Sequence, residues 1–164
     1  MSATAAESSD PGLQQMLTFA LGEESFGVDI QRVQEIRGWS PVTPTPEVPG
    51  HILGVLNLRG DIVPIIDLRA RIGMSAISNS ATAVIIVLSV ATTEGTRLFG
   101  IVVDRVSDVV NIDATRLRAV PTLGSHGNAD YLRGLFSQGV NMVILFDIDK
   151  LLAGESAGFQ NPPR

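Results

Sequence analysis

Three features of the sequence predict an all-β protein built as a barrel or sandwich of two related lobes. Apolar residues occur in short runs that are rich in Val and Ile and bounded by Gly, Asn, Asp or Ser, which is typical of β-strands. Helical periodicity is scarce, and a pattern in the first half of the chain returns in the second half. Because 45% of the 164 residues are hydrophobic but only 5% are aromatic, we expect a core of Val, Ile and Leu.

The strand signals and two short helix signals follow one another along the chain. We predict strands at 16–21, 25–30, 61–68, 82–90, 97–103 and 141–148. The segment "DLRARIG" predicts a short helix that Asp67 caps and Gly73 terminates. The segment "DIDKLLAG" predicts a second one, capped by Asp147 or Asp149 and terminated by Gly154.

Two blocks of sequence are repeated in the same order. "FGVDIQRVQEI" at 26–36 aligns with "FGIVVDRVSDV" at 99–109, and "IVPIIDL" at 62–68 aligns with "MVILFDI" at 142–148. Gly54 has a counterpart in Gly134. Chance similarity of apolar strands is the alternative, which the repeated Phe-Gly pair disfavours. Since a lobe of about 70 residues is marginal alone, we expect the lobes to share a core and to leave a groove at their junction.

Composition excludes several classes of protein. The net charge of -5 argues against nucleic-acid binding, and the absence of cysteine excludes disulfides and thiolate sites. We see no signal peptide, and the longest apolar run, 83–91, is far shorter than the about 20 residues of a spanning helix. We therefore expect a cytoplasmic protein with a disordered N-terminal tail at 1–14 and a flexible C-terminal tail at 154–164.

Candidate catalytic and metal-binding groups are few. His51 and His126 lie in Gly-rich loop sequence without metal-ligand spacing, so we expect neither metal nor cofactor. The carboxylates that follow strands are explained as helix caps, and Asp104 as part of an exposed ion pair with Arg105. A small β-barrel enzyme that uses Asp67, Asp104 and other carboxylates is the alternative from another class.

Two segments indicate recognition rather than chemistry. In "NLRGDIVPIIDLR" a turn at 57–61 presents Arg59 beside Leu58, and arginine with apolar neighbours is a typical interface composition. The segment "WSPVTPTPEVPG" at 39–50 is rich in proline, so it is either a polyproline ligand or, as we favour, an extended connection that keeps an edge strand from pairing. Its Trp39 is expected to be a packing anchor.

These segments resemble the CheW family of chemotaxis coupling proteins. The resemblance is carried by "FGVDIQRVQEIRG", "GVLNLRGDIVPIIDLR", "FGIVVDRVSDV" and "YLRGL…MVILFDIDKLL", and it covers residues 15–153. It implies two SH3-like five-stranded β-barrel lobes packed on a shared core, with short helices at strand ends. We place these lobes at 22–82 and at 15–21 plus 83–153. It also implies a non-catalytic adaptor between the cytoplasmic tips of chemoreceptors and a histidine kinase, recruited to membrane arrays through these partners.

The resemblance also implies site residues. Val33, Glu35, Arg37, Arg59 and Val109 match receptor-contact positions, and their neighbours Ile36, Asn57, Leu58 and Val106 lie on the same segments. We call these nine residues the candidate receptor surface.

Two further residues match positions linked with kinase docking, Val42 and Gly54. The family segment around Val42 is usually less rich in proline. The receptor tip is expected to lie in the junction groove, with the kinase's regulatory domain, which has the same double-barrel fold, on another face. A coupling protein of a non-flagellar receptor–kinase pathway is the closest alternative.

Overall fold

The computed structural model describes residues 13–44, 46, 50–74, 82–119, 131–139 and 141–152. Within these residues the chain forms ten strands and two short α-helices. The strands are β1 (Leu13–Leu21), β2 (Glu24–Asp29), β3 (Val33–Gly38), β4 (Ile52–Leu58), β5 (Asp61–Asp67), β6 (Val84–Thr92), β7 (Gly95–Val103), β8 (Arg105–Asp113), β9 (Leu132–Gln138) and β10 (Asn141–Phe146). The helices are α1 (Leu68–Arg71) and α2 (Ile148–Leu152). The all-β prediction is confirmed.

The strands form two five-stranded sheets with the same internal order. The order is β8-β1-β2-β10-β9 in the first sheet, which we call lobe 1, and β3-β6-β7-β5-β4 in the second, lobe 2. Each sheet is antiparallel except for one parallel pair, β2 with β10 in lobe 1 and β5 with β7 in lobe 2. The matching orders show that the sequence repeat corresponds to a structural repeat.

The two repeats exchange strands, and this corrects the expected lobe ranges. Lobe 1 takes β1 and β2 from the first repeat but β8, β9 and β10 from the second. Lobe 2 takes β3, β4 and β5 from the first repeat and β6 and β7 from the second. The ranges 22–82 and 15–21 plus 83–153 are therefore wrong, because β2 belongs to lobe 1 and β6 and β7 belong to lobe 2. Strand β1 begins at Leu13, so residues 13 and 14 belong to a strand and not to a tail. The rest of the expected N-terminal tail, 1–12, and the expected C-terminal tail, 154–164, lie outside the described residues.

Each sheet is closed by the chain that continues beyond its first edge strand. Thr43, downstream of β3, exchanges backbone hydrogen bonds of 2.9 Å with Val55 of β4, the opposite edge of lobe 2. Arg118, downstream of β8, pairs in the same way with Leu135 of β9 in lobe 1. One residue pair thus joins the two edges of each sheet, as in a partly closed barrel. The sequence had suggested that the proline-rich segment keeps an edge strand from pairing. In the structure this segment itself pairs with the edge strand β4, through Thr43.

The main core is shared between the lobes. The largest buried cluster joins Phe19, Phe26 and Phe146 of lobe 1 to residues of lobe 2 such as Phe99 and Ile101. The three lobe 1 rings stack with centroids 5.2 to 6.4 Å apart. Each lobe also has a smaller core of its own. Because both lobes contribute to one core, neither has a complete interior alone.

Both helices begin at capping aspartates, as predicted. Asp67 accepts a hydrogen bond from the Ala70 backbone N–H, and Asp147 accepts one from Lys150 at 3.2 Å. The first helix ends at Arg71, and Gly73, with a φ of 92°, follows its C-cap Ile72 as the predicted terminator. Gly154, the terminator predicted for the second helix, lies outside the described residues. None of the helices in the described ranges has the length and apolarity needed to cross a bilayer.

Candidate docking surface

Strand β3 carries four of the candidate residues on the edge of lobe 2. Its side chains alternate, so that Val33, Glu35 and Arg37 are half-buried while Ile36 is 46% exposed. A register shift between Val33 and Glu35 interrupts the pairing with β6. Bulges of this kind turn a side chain away from the regular pleat, and here one separates the apolar start of β3 from its charged middle.

An ion-pair cluster joins β3 to the β4–β5 turn. Glu35 Oε1 accepts a hydrogen bond of 2.8 Å from Arg59 Nη2, and Glu35 Oε2 accepts one of 3.1 Å from Arg37 Nη1. The hydrogen bond from Arg59 is the main cause that lowers the pKa of Glu35 below its ordinary value. The Glu35 side chain is 25% exposed and that of Arg59 is 76% exposed. A charged, fixed and accessible guanidinium is therefore available to a partner.

The turn holds Arg59 in an unusual backbone conformation. Arg59 has a φ of 52° and Gly60 a φ of 93°, so both residues between β4 and β5 are left-handed, as in a type I′ hairpin turn. Asn57 Oδ1 accepts a hydrogen bond of 2.9 Å from the Gly60 N–H. Asn57 thus shapes the turn that presents Arg59. The expectation that Leu58 is an exposed neighbour is wrong, because Leu58 is 5% exposed and belongs to the lobe 2 core.

The remaining candidate receptor residues lie on β8 of lobe 1. Val106 and its repeat counterpart Val33 both pack against the shared core. Val109 is 44% exposed and is paired with Leu17 of β1. The structure thus brings Glu35, Arg37 and Arg59 together in lobe 2 and places Val109 on the other lobe. The nine residues are distributed over edge strands of both lobes.

The two candidate kinase positions lie at the closure of lobe 2. Val42 is half-buried and packs against the lobe 2 core beside Trp39, so Trp39 is a packing residue as expected. Gly54 is buried, with a φ of 151°, and a Cβ there would lie 2.2 Å from the Thr43 carbonyl oxygen. Gly54 is therefore required by the backbone contact that closes the barrel, whatever else it does.

Sequence reasoning missed an exposed apolar residue beside this turn. Ile62 is 61% exposed and is paired with Asn57 across the hairpin. Strict alternation from the buried Val63 could have identified it. Its counterpart in the second repeat, Met142, is 45% exposed, just as Ile36 and its counterpart Val109 are both exposed. The lobes therefore present equivalent apolar positions.

The carboxylates that were weighed for catalysis have structural partners. Asp104 forms an ion pair of 2.7 Å with Arg69, so the expected pairing with Arg105 is wrong. Asp67 and Asp147 cap the helices, and Asp149 binds Arg32. Among the described residues no cluster of His, Cys, Asp or Glu could hold a metal ion. His126 lies outside the described residues.

The exchanged double barrel, with an ion-pair cluster on its edge, defines the class of the protein as a two-lobed β-barrel domain. A family model, the CheW-like domain, matches residues 15–156. The chain is 46% identical over 142 residues to the chemotaxis protein CheW of Klebsiella aerogenes, which covers 87% of this chain and 83% of the relative. It is 36% identical over 144 residues to the chemotaxis protein CheW of Rhizobium meliloti, and this match covers 88% of this chain and 90% of the relative.

A solved structure agrees with this. The scaffolding protein TtCheW of Thermoanaerobacter tengcongensis superposes with a TM-score of 0.75 at 30% identity, covering 85% of this chain and 92% of that one. The chain belongs to the CheW family, and the resemblance read from its sequence is confirmed. As a family member it is a non-catalytic adaptor of chemotaxis signalling.

Proposed function

We propose that this protein couples the cytoplasmic tips of chemoreceptors to a chemotaxis histidine kinase. The observation that carries the proposal is the Glu35–Arg59 pair, which joins the edge strand β3 to the β4–β5 turn. The same two segments also carry the exposed apolar residues Ile36 and Ile62. Arginine is one of the residue types that are enriched at interface hot spots. Membership in the CheW family supports chemotaxis as the pathway.

The receptor partner is best described as a helix. Val33 of lobe 2 and Val106 of lobe 1 are partly buried and pack against the core that the lobes share. The groove expected at the lobe junction would lie beside them. An amphipathic helix in this groove would bury apolar side chains against both valines. Arg59 and Glu35 would then set its register through polar contacts, since charged pairs at a rim contribute more to specificity than to affinity.

The kinase partner would dock near the closure of lobe 2. Val42 and Trp39 form a half-buried apolar area beside Gly54 there. An adaptor that binds two partners on different faces couples them by holding them at high effective concentration in one assembly. Recruitment to membrane receptor arrays would follow from these contacts. A receptor–kinase pathway other than flagellar chemotaxis would use the same surfaces.

Substituting Arg59→Glu tests the receptor contact. The change reverses an exposed charge beside Glu35 and leaves the core untouched, so we expect the thermal melt to stay within about 2 °C of wild type while binding of a soluble receptor-tip fragment is lost. Titration calorimetry with that fragment measures the affinity. The control is Arg97→Glu, which breaks the 2.7 Å pair with Glu94 in the β6–β7 hairpin of the same lobe. Equal affinity of Arg59→Glu and wild type would reject the assignment.

A further inference from the structure

Two ion pairs hold the segments that carry the chain from one lobe to the other. The first junction pair joins Arg69 of α1 to Asp104, which lies between β7 in lobe 2 and β8 in lobe 1, at 2.7 Å. Asp104 also accepts a hydrogen bond from the Gly22 N–H, and its own N–H donates to the Ala20 carbonyl at 3.1 Å. Asp104 therefore connects Arg69 to the β1–β2 hairpin of lobe 1.

The second junction pair lies at the other crossover. Arg32, between β2 and β3, makes two hydrogen bonds of 2.7 and 2.6 Å to the carboxylate of Asp149 in α2. Asp149 Oδ1 also accepts one of 2.8 Å from the Ala91 N–H, and Arg32 donates one of 3.0 Å to the Ser89 carbonyl. This pair attaches the crossover to the β6–β7 hairpin of lobe 2.

The two junction pairs lie at corresponding places in the repeat with their charges reversed, but their crossover residues are one position apart, because Asp104 aligns with Gln31 and Arg105 with Arg32. Asp67 and Asp147 cap the two helices, so Arg69 and Asp149 occupy the same helical position. Ala20 is paired with Ser25 in the β1–β2 hairpin, and Ser89 is paired with Leu98 in the matching β6–β7 hairpin. Ala20 and Ser89 therefore occupy corresponding positions. Both carboxylates thus accept from corresponding backbone N–H groups, although one carboxylate lies on the crossover and the other on the helix.

Both pairs connect the two repeats. In each pair the two partners come from different repeats, Arg69 with Asp104 and Asp149 with Arg32. Each pair therefore depends on the observed strand exchange, which brings its two partners together.

The pairs also lie beside the candidate receptor residues. Arg32 directly precedes Val33, and Asp104 is two residues before Val106. The side chains of the four paired residues are only 20% to 34% exposed, so their attraction is less screened than that of a fully exposed pair. We infer that the two junction pairs are positioning groups that fix the angle between the lobes and thereby the spacing of Val33 and Val106. The predicted effect on receptor binding rests on the proposed function, whereas the effect on lobe geometry does not.

The internal repeat supplies a rescue variant. Arg69→Asp places a second carboxylate against Asp104 and breaks the first junction pair. At the other crossover, Gln31 and Arg32 lie opposite Asp149 of the helix. Arg105 already occupies the position that corresponds to Arg32, so adding Asp104→Gln gives the first crossover the same glutamine–arginine sequence opposite the new carboxylate at position 69. The double variant should therefore rebuild the pair with reversed charge. The control is Arg97→Asp, which breaks a pair that lies within one hairpin.

The test measures lobe geometry and receptor affinity separately. Because the chain contains no cysteine, Asp61→Cys and Asn141→Cys attach one spin label to each lobe, at the exposed first residues of β5 and β10, for electron-spin distance measurement. We expect Arg69→Asp to broaden the distance distribution and, in unlabelled protein, to weaken binding of the receptor-tip fragment by about three- to tenfold. Arg69→Asp/Asp104→Gln should restore both, and Arg97→Asp should change neither.

Two outcomes would overturn the inference. One is an Arg69→Asp variant with the distances and affinity of wild type, and the other is a double variant no better than the single one. If wild-type protein fails to bind the receptor fragment, the proposed receptor role is rejected. The electron-spin distances then still decide whether the first junction pair fixes the angle between the lobes. If wild type binds and all variants bind equally, the positioning role is rejected and the receptor role stands.

Discussion

Arg59 adopts a backbone conformation that normally belongs to glycine. Its φ of 52° is the only positive value at a non-glycine position among the described residues, whereas the corresponding position after β9 is Gly139 with a φ of 64°. A left-handed conformation disfavours any side chain with a Cβ atom. The second repeat therefore has the residue that suits the turn, whereas the first has an arginine there in spite of the unfavourable conformation. Strain of this kind is typical of functional positions.

Arg59→Gly should separate folding from binding. Glycine suits the left-handed turn and the lost ion pair is exposed, so we expect a melting temperature equal to or slightly above that of wild type. Receptor-fragment binding should fall as far as in Arg59→Glu. Differential scanning calorimetry and the same titration measure the two quantities. A melting temperature several degrees below wild type would show that Arg59 is structural.

Asp149 should make stability depend on acid pH. The hydrogen bonds from Arg32 lower the pKa of Asp149 in the folded protein, so the charged carboxylate stabilises the fold. This contribution is complete above the unfolded-state pKa of about 3.9 and is lost as pH falls through the lower folded-state pKa. We expect Asp149→Asn to melt below wild type at pH 7 and the difference to shrink below about pH 4. A difference that does not change with pH would contradict the ion-pair explanation.

At the scale of elements, the closure of lobe 2 depends on Gly54. The carbonyl of Thr43 occupies the space that a Cβ at position 54 would need, and the φ of 151° is itself unfavourable for other residues. The matching glycine in lobe 1, Gly134, faces the Arg118 carbonyl in the same way. Close approach of two backbones explains both glycines, so the candidate kinase role of Gly54 needs a test that separates it from folding.

Gly54→Ala should destabilise the protein by more than about 2 kcal/mol. The matched control is Gly38→Ala at the end of β3, because a Cβ there meets nothing within 4 Å. Urea denaturation of both variants measures the difference in the free energy of unfolding. Stability of Gly54→Ala equal to that of the control would show that the closure tolerates a side chain. Only in that case could a loss of kinase binding be assigned to direct contact.

Sequence reasoning identified strands and helix starts more reliably than it identified the side-chain contacts between different strands and helices. Alternation and turn residues predicted six of the ten strands of the described residues but not β3, β4, β8 and β9. Asp67 and Asp147 predicted the helix starts, because capping is a local signal. The Arg69–Asp104 and Arg32–Asp149 pairs were missed because their partners meet only after the strands exchange. Leu58 was misjudged for a related reason, since alternation alone does not say which face of a hairpin meets the core.

At the scale of the whole molecule, strand exchange makes the two lobes one folding unit. Phe26 of lobe 1 and Phe99 of lobe 2 lie in the same buried cluster. Each lobe also depends on strands from both repeats. The sequence repeat suggested two lobes but could not show the exchange, because equivalent strands carry similar apolar patterns and pairing either way buries them.

Unfolding should therefore be a single cooperative transition. Trp39 packs in lobe 2 and is the only tryptophan of the chain, so its fluorescence reports on that lobe alone. Far-ultraviolet circular dichroism reports on both sheets. We expect the two signals to give coincident urea transitions, as a two-state process requires. A fluorescence transition that clearly precedes or follows the circular dichroism transition would indicate lobes that unfold independently.

Mapping the receptor contact by nuclear magnetic resonance tests the adaptor role most directly. Backbone amide shifts of isotope-labelled protein are recorded during titration with an unlabelled receptor-tip fragment. The account predicts that the perturbed amides concentrate on β3, on the turn that contains Arg59 and at the start of β8, with the interior of both sheets unchanged. Saturating fragment that perturbs no amide, or perturbs only residues away from these three segments, would contradict it.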